Sequence, residues 1–214
     1  MIPMNAVALP RLQIVILCAG FSSRLGQPKA LARVRSLSLL RRTLLLAERA
    51  LPADVVVVVP RRAERYRVEA RRIKVTFVAN ARRAQGLSSS VRRGMAQARY
   101  SPALLILPVD LIALQSRDLA RLISRWRASR RCVVATRVGT KDGKPQGGVP
   151  LILPRWLYPK ALTVTGDIGL RGLVGSLSPP QRILVDLPST AMDVDTRQDL
   201  NNARQRRHHS GVSL

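Results

Sequence analysis

Histidine is almost missing from this chain of 214 residues: the two present, His208 and His209, stand side by side near its end. With none elsewhere, no Ser-His-Asp order can be read, and two adjacent imidazoles in a polar tail make a weak metal site. Cysteine is as scarce. Cys18 and Cys132 cannot build a disulfide framework or a four-cysteine zinc site, and Cys18, at the end of an apolar run, reads as a small buried hydrophobe. Aromatic residues make up only 3%, which leaves little material for stacking on single-stranded nucleic acid. Apolar runs such as Leu12 to Ala19 and Val55 to Pro60 fall far short of the about 20 residues that a membrane-spanning helix needs. The opening residues carry no basic stretch followed by a long apolar one, so no signal peptide is expected. The expectation is a soluble, cytoplasmic protein with no membrane partner.

Acidic residues are few as well: 12 Asp+Glu stand against 37 Lys+Arg, and 37 − 12 gives a formal charge of +25. A polyanion partner is one reading of such a charge, since each neutralised phosphate adds salt-dependent affinity. The distribution points the other way. The charge is nearly all arginine, in a chain rich in Ala, Val, Leu and Pro, as GC-rich codon usage produces. It is scattered in pairs through every segment, from Arg41-Arg42 to Arg130-Arg131, rather than gathered into a stripe. Nucleic acid is therefore not the expected partner. Hydrophobic residues make up 46%, enough for one sizeable core, because a chain of about 200 residues buries roughly 70% of its unfolded surface.

Apolar, β-branched runs alternate with segments of helical period. LQIVILC (Leu12–Cys18), DVVVVV (Asp54–Val59), KVTFVA (Lys74–Ala79), ALLILPV (Ala103–Val109) and RCVVATR read as strands. Helices are expected from about Ser36 to Leu51, from about Ala63 to Arg72, over SSSVRRGMAQAR, and over SRDLARLISRWRAS with Ser116 as N-cap. Continuous apolar strands separated by helices imply an α/β fold whose mostly parallel sheet is covered on both faces. After Arg137 the pattern changes. VGTKDGKPQGG is turn-rich, VPLILP, RILVDL and AMDVD read as short strands around GDIGLRGLVGSL, and a hairpin or subregion inserted over the site is expected. Ligands of such folds bind outside the carboxyl ends of the strands, so the loops at 19–29, 80–90 and Asp110 should share one rim.

The first of these loops, LCAGFSSRLGQPK, fits neither the P-loop template nor G-x-G-x-x-G. Gly20 and Gly26 let the backbone bend and bring N–H groups to an anion, while Arg24 and Lys29 supply a fork and a point charge. A glycine turn with two surface cations is the alternative.

The same loop closely resembles the L-x-A-G-x-S-x-R-x-G-x-x-K signature of the MobA-like NTP transferase family, nucleotidyltransferases that activate phosphorylated acceptors. It is especially similar to the molybdenum cofactor cytidylyltransferase branch. QGLSSSVRRGM resembles the family's G-x-S-S-S loop, LLILPVD its strand ending in a metal-binding aspartate, and GVPLILP, GDIGLR and DVDTRQDL its later segments, in the same order. The resemblance runs from Gln13 to about Ala203. It implies a Rossmann-like three-layer nucleotidyltransferase fold with the domain at 12–204, an N-terminal extension at 1–11 and a basic tail at 205–214.

It also implies roles. Ala19, Gly20, Gly26, Arg24 and Lys29 would hold the triphosphate, with Arg24 at the reacting α-phosphate and Lys29 helping pyrophosphate leave. Ala19 stands where guanine-preferring relatives carry a second glycine, which favours CTP. Ser88, Ser89 and Ser90 would lie near base or ribose; N-capping is their alternative. Asp110 would bind Mg2+, and one aspartate of MDVDT would add a second ligand. Only one of the two is expected to reach the site; Asp193 is favoured, with Asp195 capping the following helix. The implied reaction transfers CMP to molybdopterin or another phosphorylated acceptor, and a molybdoenzyme would receive the product. A catalytically decayed, basic nucleic-acid-binding protein is the competing class. Leu111 and Ile112 after the aspartate, and Arg197-Gln198 in DTRQDL, depart from the family pattern.

Overall fold

The computed structural model describes residues 11–141, 143–165 and 169–205. The extension at 1–11 apart from Arg11, the tail with His208 and His209 apart from Gln205, and residues 166–168 of GDIGLR lie outside the described residues. Along the chain run β1 (Gln13–Leu17), β2 (Arg33–Val34), β3 (Leu37–Ser38), α1 (Leu39–Arg49), β4 (Val55–Val59), α2 (Glu64–Glu69), β5 (Thr76–Ala79) and α3 (Leu87–Gln97). They are followed by β6 (Ala103–Pro108), α4 (Ser116–Ala128), β7 (Val133–Lys141), β8 (Lys144–Pro154), α5 (Tyr158–Thr163), α6 (Gly169–Gly175), β9 (Arg182–Val185) and α7 (Arg197–Gln205).

Seven strands form one sheet in the order β5-β4-β1-β6-β8-β7-β9, and β2 and β3 make a small ribbon apart from it. β1 pairs in parallel with β4 and β6, β4 with β5, and β7 with β9. β8 runs antiparallel to both of its neighbours, β6 and β7. Because side chains alternate across a strand, the apolar runs feed two cores. Ile14 and Ile16 of β1, Val55, Val57 and Val59 of β4, and Leu105 and Leu107 of β6 face buried residues of α1, α2, α4 and α7. Val15, Leu17, Val56, Val58, Leu104 and Ile106 face α3, α5 and α6. This is the expected three-layer α/β fold with a mostly parallel sheet. No helix among the described residues is long and apolar enough to cross a membrane.

Three local expectations need correction. The hairpin expected over the site instead lies within the main sheet as β7 and β8. The run VPLILP is apolar on both faces and needs cover on both, which a sheet interior gives; Leu151, Ile152 and Leu153 are fully buried. AMDVD forms no strand, only a single bridge between Asp193 and Leu111. Gln115 rather than Ser116 caps α4, in a reciprocal box with Asp118.

The chain leaves β1 toward β4 and β5 on one side and returns to β6 on the other. The carboxyl ends of β1 and β6 therefore flank the switch point at which such sheets bind ligands. α3 lies close over this region because Gly94 sits directly on the sheet: a Cβ there would overlap Val15 and crowd Val58 to 3.2 Å. Both valines are buried. Gly94→Ala is accordingly expected to destabilise the protein by about 1–3 kcal/mol despite its better helix propensity, read as a lower urea midpoint. An unchanged or raised midpoint would show that α3 can lift off the sheet without cost.

Candidate active site

The loop after β1 is shaped by two residues in the left-handed region, Ser22 (φ 54°) and Gly26 (φ 71°), on either side of a single helical turn from Ser23 to Leu25. Glycine adopts that conformation freely and serine does not; Ser22 is held by its hydroxyl, which accepts the Lys29 backbone N–H at 3.0 Å. Buried Leu25 anchors the turn. Gly26 is also needed for space, because a Cβ would stand 2.6 Å from the Arg197 guanidinium, whose Nε–H donates to the Leu25 carbonyl. Around Gly20, by contrast, nothing lies within 4 Å of where a Cβ would be.

Lys29 ends this loop. Its Nζ donates to Asp110 Oδ2 at 2.8 Å and to Asp195 Oδ1 at 2.5 Å. The other Asp195 oxygen accepts from Arg24 at 2.8 Å. Burial alone would pull the Lys29 ammonium down, but the charges and hydrogen bonds of Asp110 and Asp195 outweigh it and hold its pKa above the ordinary lysine value. Asp195 is held below the carboxylate range, first by the Lys29 hydrogen bond and, despite some desolvation, by the charges of Lys29 and Arg24.

The structure places Asp193 and Asp195 differently. Asp195 faces Lys29 and lines the cavity; Asp193 does not line it. Partial burial, then repulsion from Asp195 and Asp110, pushes the Asp193 carboxyl up. Asp195 is not the helix cap either. Thr196 and Asp199 cap α7 reciprocally, with Asp199 accepting from the Thr196 N–H and hydroxyl and Thr196 Oγ1 accepting from the Asp199 N–H.

A cavity of about 560 Å3 opens at these strand ends, within the about 300–1,000 Å3 usual for small-molecule sites. Arg24, Lys29, Asp110 and Asp195 line it together with Ala19, Gly20, Phe21, Arg83, Gly86, Leu87 and Ser90. Asp110 follows β6, whereas residues 83–90 follow β5, three strand spacings away in the sheet order, or about 14 Å at 4.8 Å each. Asp110 and the loop before α3 thus approach the cavity from opposite sides. Gly26 lines a smaller neighbouring cavity of about 260 Å3 instead.

The three serines are buried in the first turn of α3, and Gly86, not a serine side chain, occupies the cap position. Ser90 lines the cavity. Ser89 and Ser90 hydroxyls accept from Asn80 Nδ2 at 2.9 and 3.0 Å, while Ser88 Oγ is buried with no hydrogen-bond partner among the described residues. Asn80, Ser22, Phe21 and Arg83 were not singled out from sequence. The available signal for Asn80 was a polar residue placed directly after an apolar strand. Cys18 also lines the cavity, but burial, followed by the Asp110 charge, pushes its thiol far up, so it is no thiolate nucleophile. Among the described residues no group of three or more His, Cys, Asp or Glu is arranged to hold a metal ion.

Residues 14–181 match the family described as the MobA-like NTP transferase domain. Rv0371c from Mycobacterium tuberculosis H37Rv superposes with a TM-score of 0.75 at 23% identity, covering 92% of this chain and 98% of that one; it has also been solved in complex with manganese. Mth528, a nucleotidyl transferase from Methanothermobacter thermautotroptrophicus, gives 0.73 at 20% identity, covering 91% and 96% of the two chains. A 4-diphosphocytidyl-2C-methyl-D-erythritol synthase from Anaerococcus prevotii DSM 20548 gives 0.71 at 15%, over 91% and 95%. No curated protein matches the sequence. The chain belongs to the MobA-like NTP transferase family of nucleotidyltransferases.

Lys29→Met would leave the Asp110 and Asp195 carboxylates without their common cation, at an expected cost of about 1–3 kcal/mol near neutral pH. The depressed Asp195 pKa gives stability that is present above the ordinary carboxylate value, about 4, and lost as pH falls through the depressed one. The raised Lys29 pKa gives stability present below about 10.4 and lost as pH rises through the raised value. The urea-unfolding difference between wild type and variant should therefore be largest between about pH 5 and 9 and shrink toward pH 3. A difference that stays flat over that range would contradict this.

Proposed function

We propose that this nucleotidyltransferase moves CMP from CTP to the phosphate of molybdopterin, or of another phosphorylated acceptor, with release of pyrophosphate. The reading is carried by one observation: Arg24, Lys29, Asp110 and Asp195 meet in one cavity wall, beside a loop whose Gly20 leaves its backbone open to approach. Phosphates fit this end and the nucleoside the other, where Gly86, Leu87 and Ser90 stand.

The residues fit a divalent cation. Asp110 and Asp195 already share a single cationic partner at hydrogen-bond distance, and two carboxylates are hard oxygen donors of the kind magnesium and manganese accept while keeping waters and substrate phosphates as further ligands. The manganese complex of Rv0371c supports the same class of ion. Asp110 and Asp195 would hold it, with Asp195 in the place expected of Asp193. When bound, the ion offsets phosphate charge.

The chain's own groups then position and neutralise. Arg24, exposed and anchored at one end by Asp195, offers its remaining guanidinium N–H groups to the α-phosphate in a planar fork. Lys29 carries charge toward the departing pyrophosphate. Backbone N–H groups at Ala19 and Gly20 fit the oxygens between. An acceptor phosphate oxygen attacks the α-phosphorus in line as the bond to the bridging α–β oxygen breaks, and that electron pair leaves with pyrophosphate. A phosphate already ionised needs no base to deprotonate it, which agrees with a site built without histidine. Ala19 and the diphosphocytidyl relative support cytidine as the base.

The test is pyrophosphate release from CTP with magnesium and molybdopterin carrying its metal. Asp110→Asn is expected to lower turnover at least about 100-fold while the circular dichroism spectrum stays that of the folded protein. Retained turnover would contradict the assignment.

A further inference from the structure

One contact at the cavity is not used by phosphate chemistry. The Arg83 guanidinium lies over the Phe21 ring, 4.3 Å from its centroid, joining the loop after β1 to the loop before α3. Both residues line the main cavity, and both also line the smaller one. The pair is therefore part of the partition between the two spaces.

Three features give this partition a ligand-binding character. Phe21 is one of two phenylalanines in the chain and is 58% exposed; an apolar ring left in water beside a polar loop contributes little to folding. Arg83 is paired with no carboxylate among the described residues, unlike Arg24 and Lys29. Finally, the pair reaches the cavity on the side of the loop before α3, with Gly86, Leu87 and Ser90, and the carboxylates that would hold a metal ion enter from the β6 side. A planar guanidinium laid on an aromatic face presents a flat, rigid edge that suits another flat, polarisable ring.

We propose that Phe21 and Arg83 form a strap across the base end of the cavity, and that the nucleobase of the donor is bound against it. The strap sets affinity for the nucleoside part of the substrate, independently of the phosphates. The inference rests on the cavity being a nucleoside triphosphate site.

The experiment compares dissociation constants for CTP and for inorganic tripolyphosphate, each with magnesium, at about 0.3 M salt so that diffuse attraction to the basic surface is screened. Phe21→Ala and Arg83→Gln are each expected to weaken CTP about tenfold, in keeping with the loss of an aromatic or cationic stacking partner, and to leave tripolyphosphate within about twofold by the same logic. Phe21→Tyr should restore CTP binding. Arg83 lies outside the phosphate loop, so its variant separates loss of the strap from a disturbed loop. Equal weakening of CTP and tripolyphosphate, or no weakening of either, would overturn the strap. Wild-type protein that binds tripolyphosphate as tightly as CTP would overturn it too, while leaving a phosphate site standing. Wild-type protein with no magnesium-requiring CTP binding would overturn the nucleotide reading and the strap together.

Discussion

A single ammonium group, Lys29 Nζ, joins three stretches of chain that are remote in sequence: the loop after β1, the end of β6 at Asp110 and the segment before α7 at Asp195. The two carboxylates repel one another, and at Asp193 nearby burial first, then the charges of Asp195 and Asp110, push the carboxyl up. A cation among them offsets that repulsion, beside the backbone bridge of Leu111 and Asp193 and the Val194 N–H donated to the Asp110 carbonyl. The arrangement of the rest of the site follows: Arg24 is placed by Asp195, and α7 is brought near enough for Arg197 to reach the Leu25 carbonyl.

The sheet supplies the complementary constraint. β1, β4 and β6 are buried on both faces, so none of their interior positions carries a charge, and polar chemistry is confined to the strand ends. The reversal of direction around β1 then leaves a crevice where loops from both sides meet. A substrate with a long, highly charged part and a flat, weakly polar part matches a cavity lined by carboxylates on one side and by the loop before α3, with Arg83, Gly86, Leu87 and Ser90, on the other. The +25 surface adds long-range attraction for such an anion without defining where it binds.

Much of this was legible in the residues, for reasons that also explain the misses. LQIVILC and DVVVVV could only be buried strands, and LCAGFSSRLGQPK, with its position after the first of them, marked a loop that lines the cavity. Strand alternation would have put Asp193 and Asp195, two residues apart, on one face; they differ because the segment forms only a single bridge at Asp193 and no strand, and the choice between them turned on the helix cap. The reciprocal pair Thr196 and Asp199 was readable as a capping box and would have released Asp195 from that role. The hairpin after Arg137 was drawn to the site by its turn residues, whereas the apolar run Val149–Pro154 fixed it in the sheet. Asn80 and the Arg83–Phe21 contact depend on loops that meet only in three dimensions, so no local pattern announced them.

The most direct test of the account is a calorimetric titration of the wild-type protein with CTP, GTP, ATP and UTP, with and without magnesium, at about 0.15 M salt. Binding is expected to require magnesium, to favour CTP over the other three and to change little as salt is raised. Weak binding of all four alike, indifferent to magnesium and lost steeply with added salt, would mean that the basic surface rather than the Lys29–Asp110–Asp195 site is what nucleotides detect.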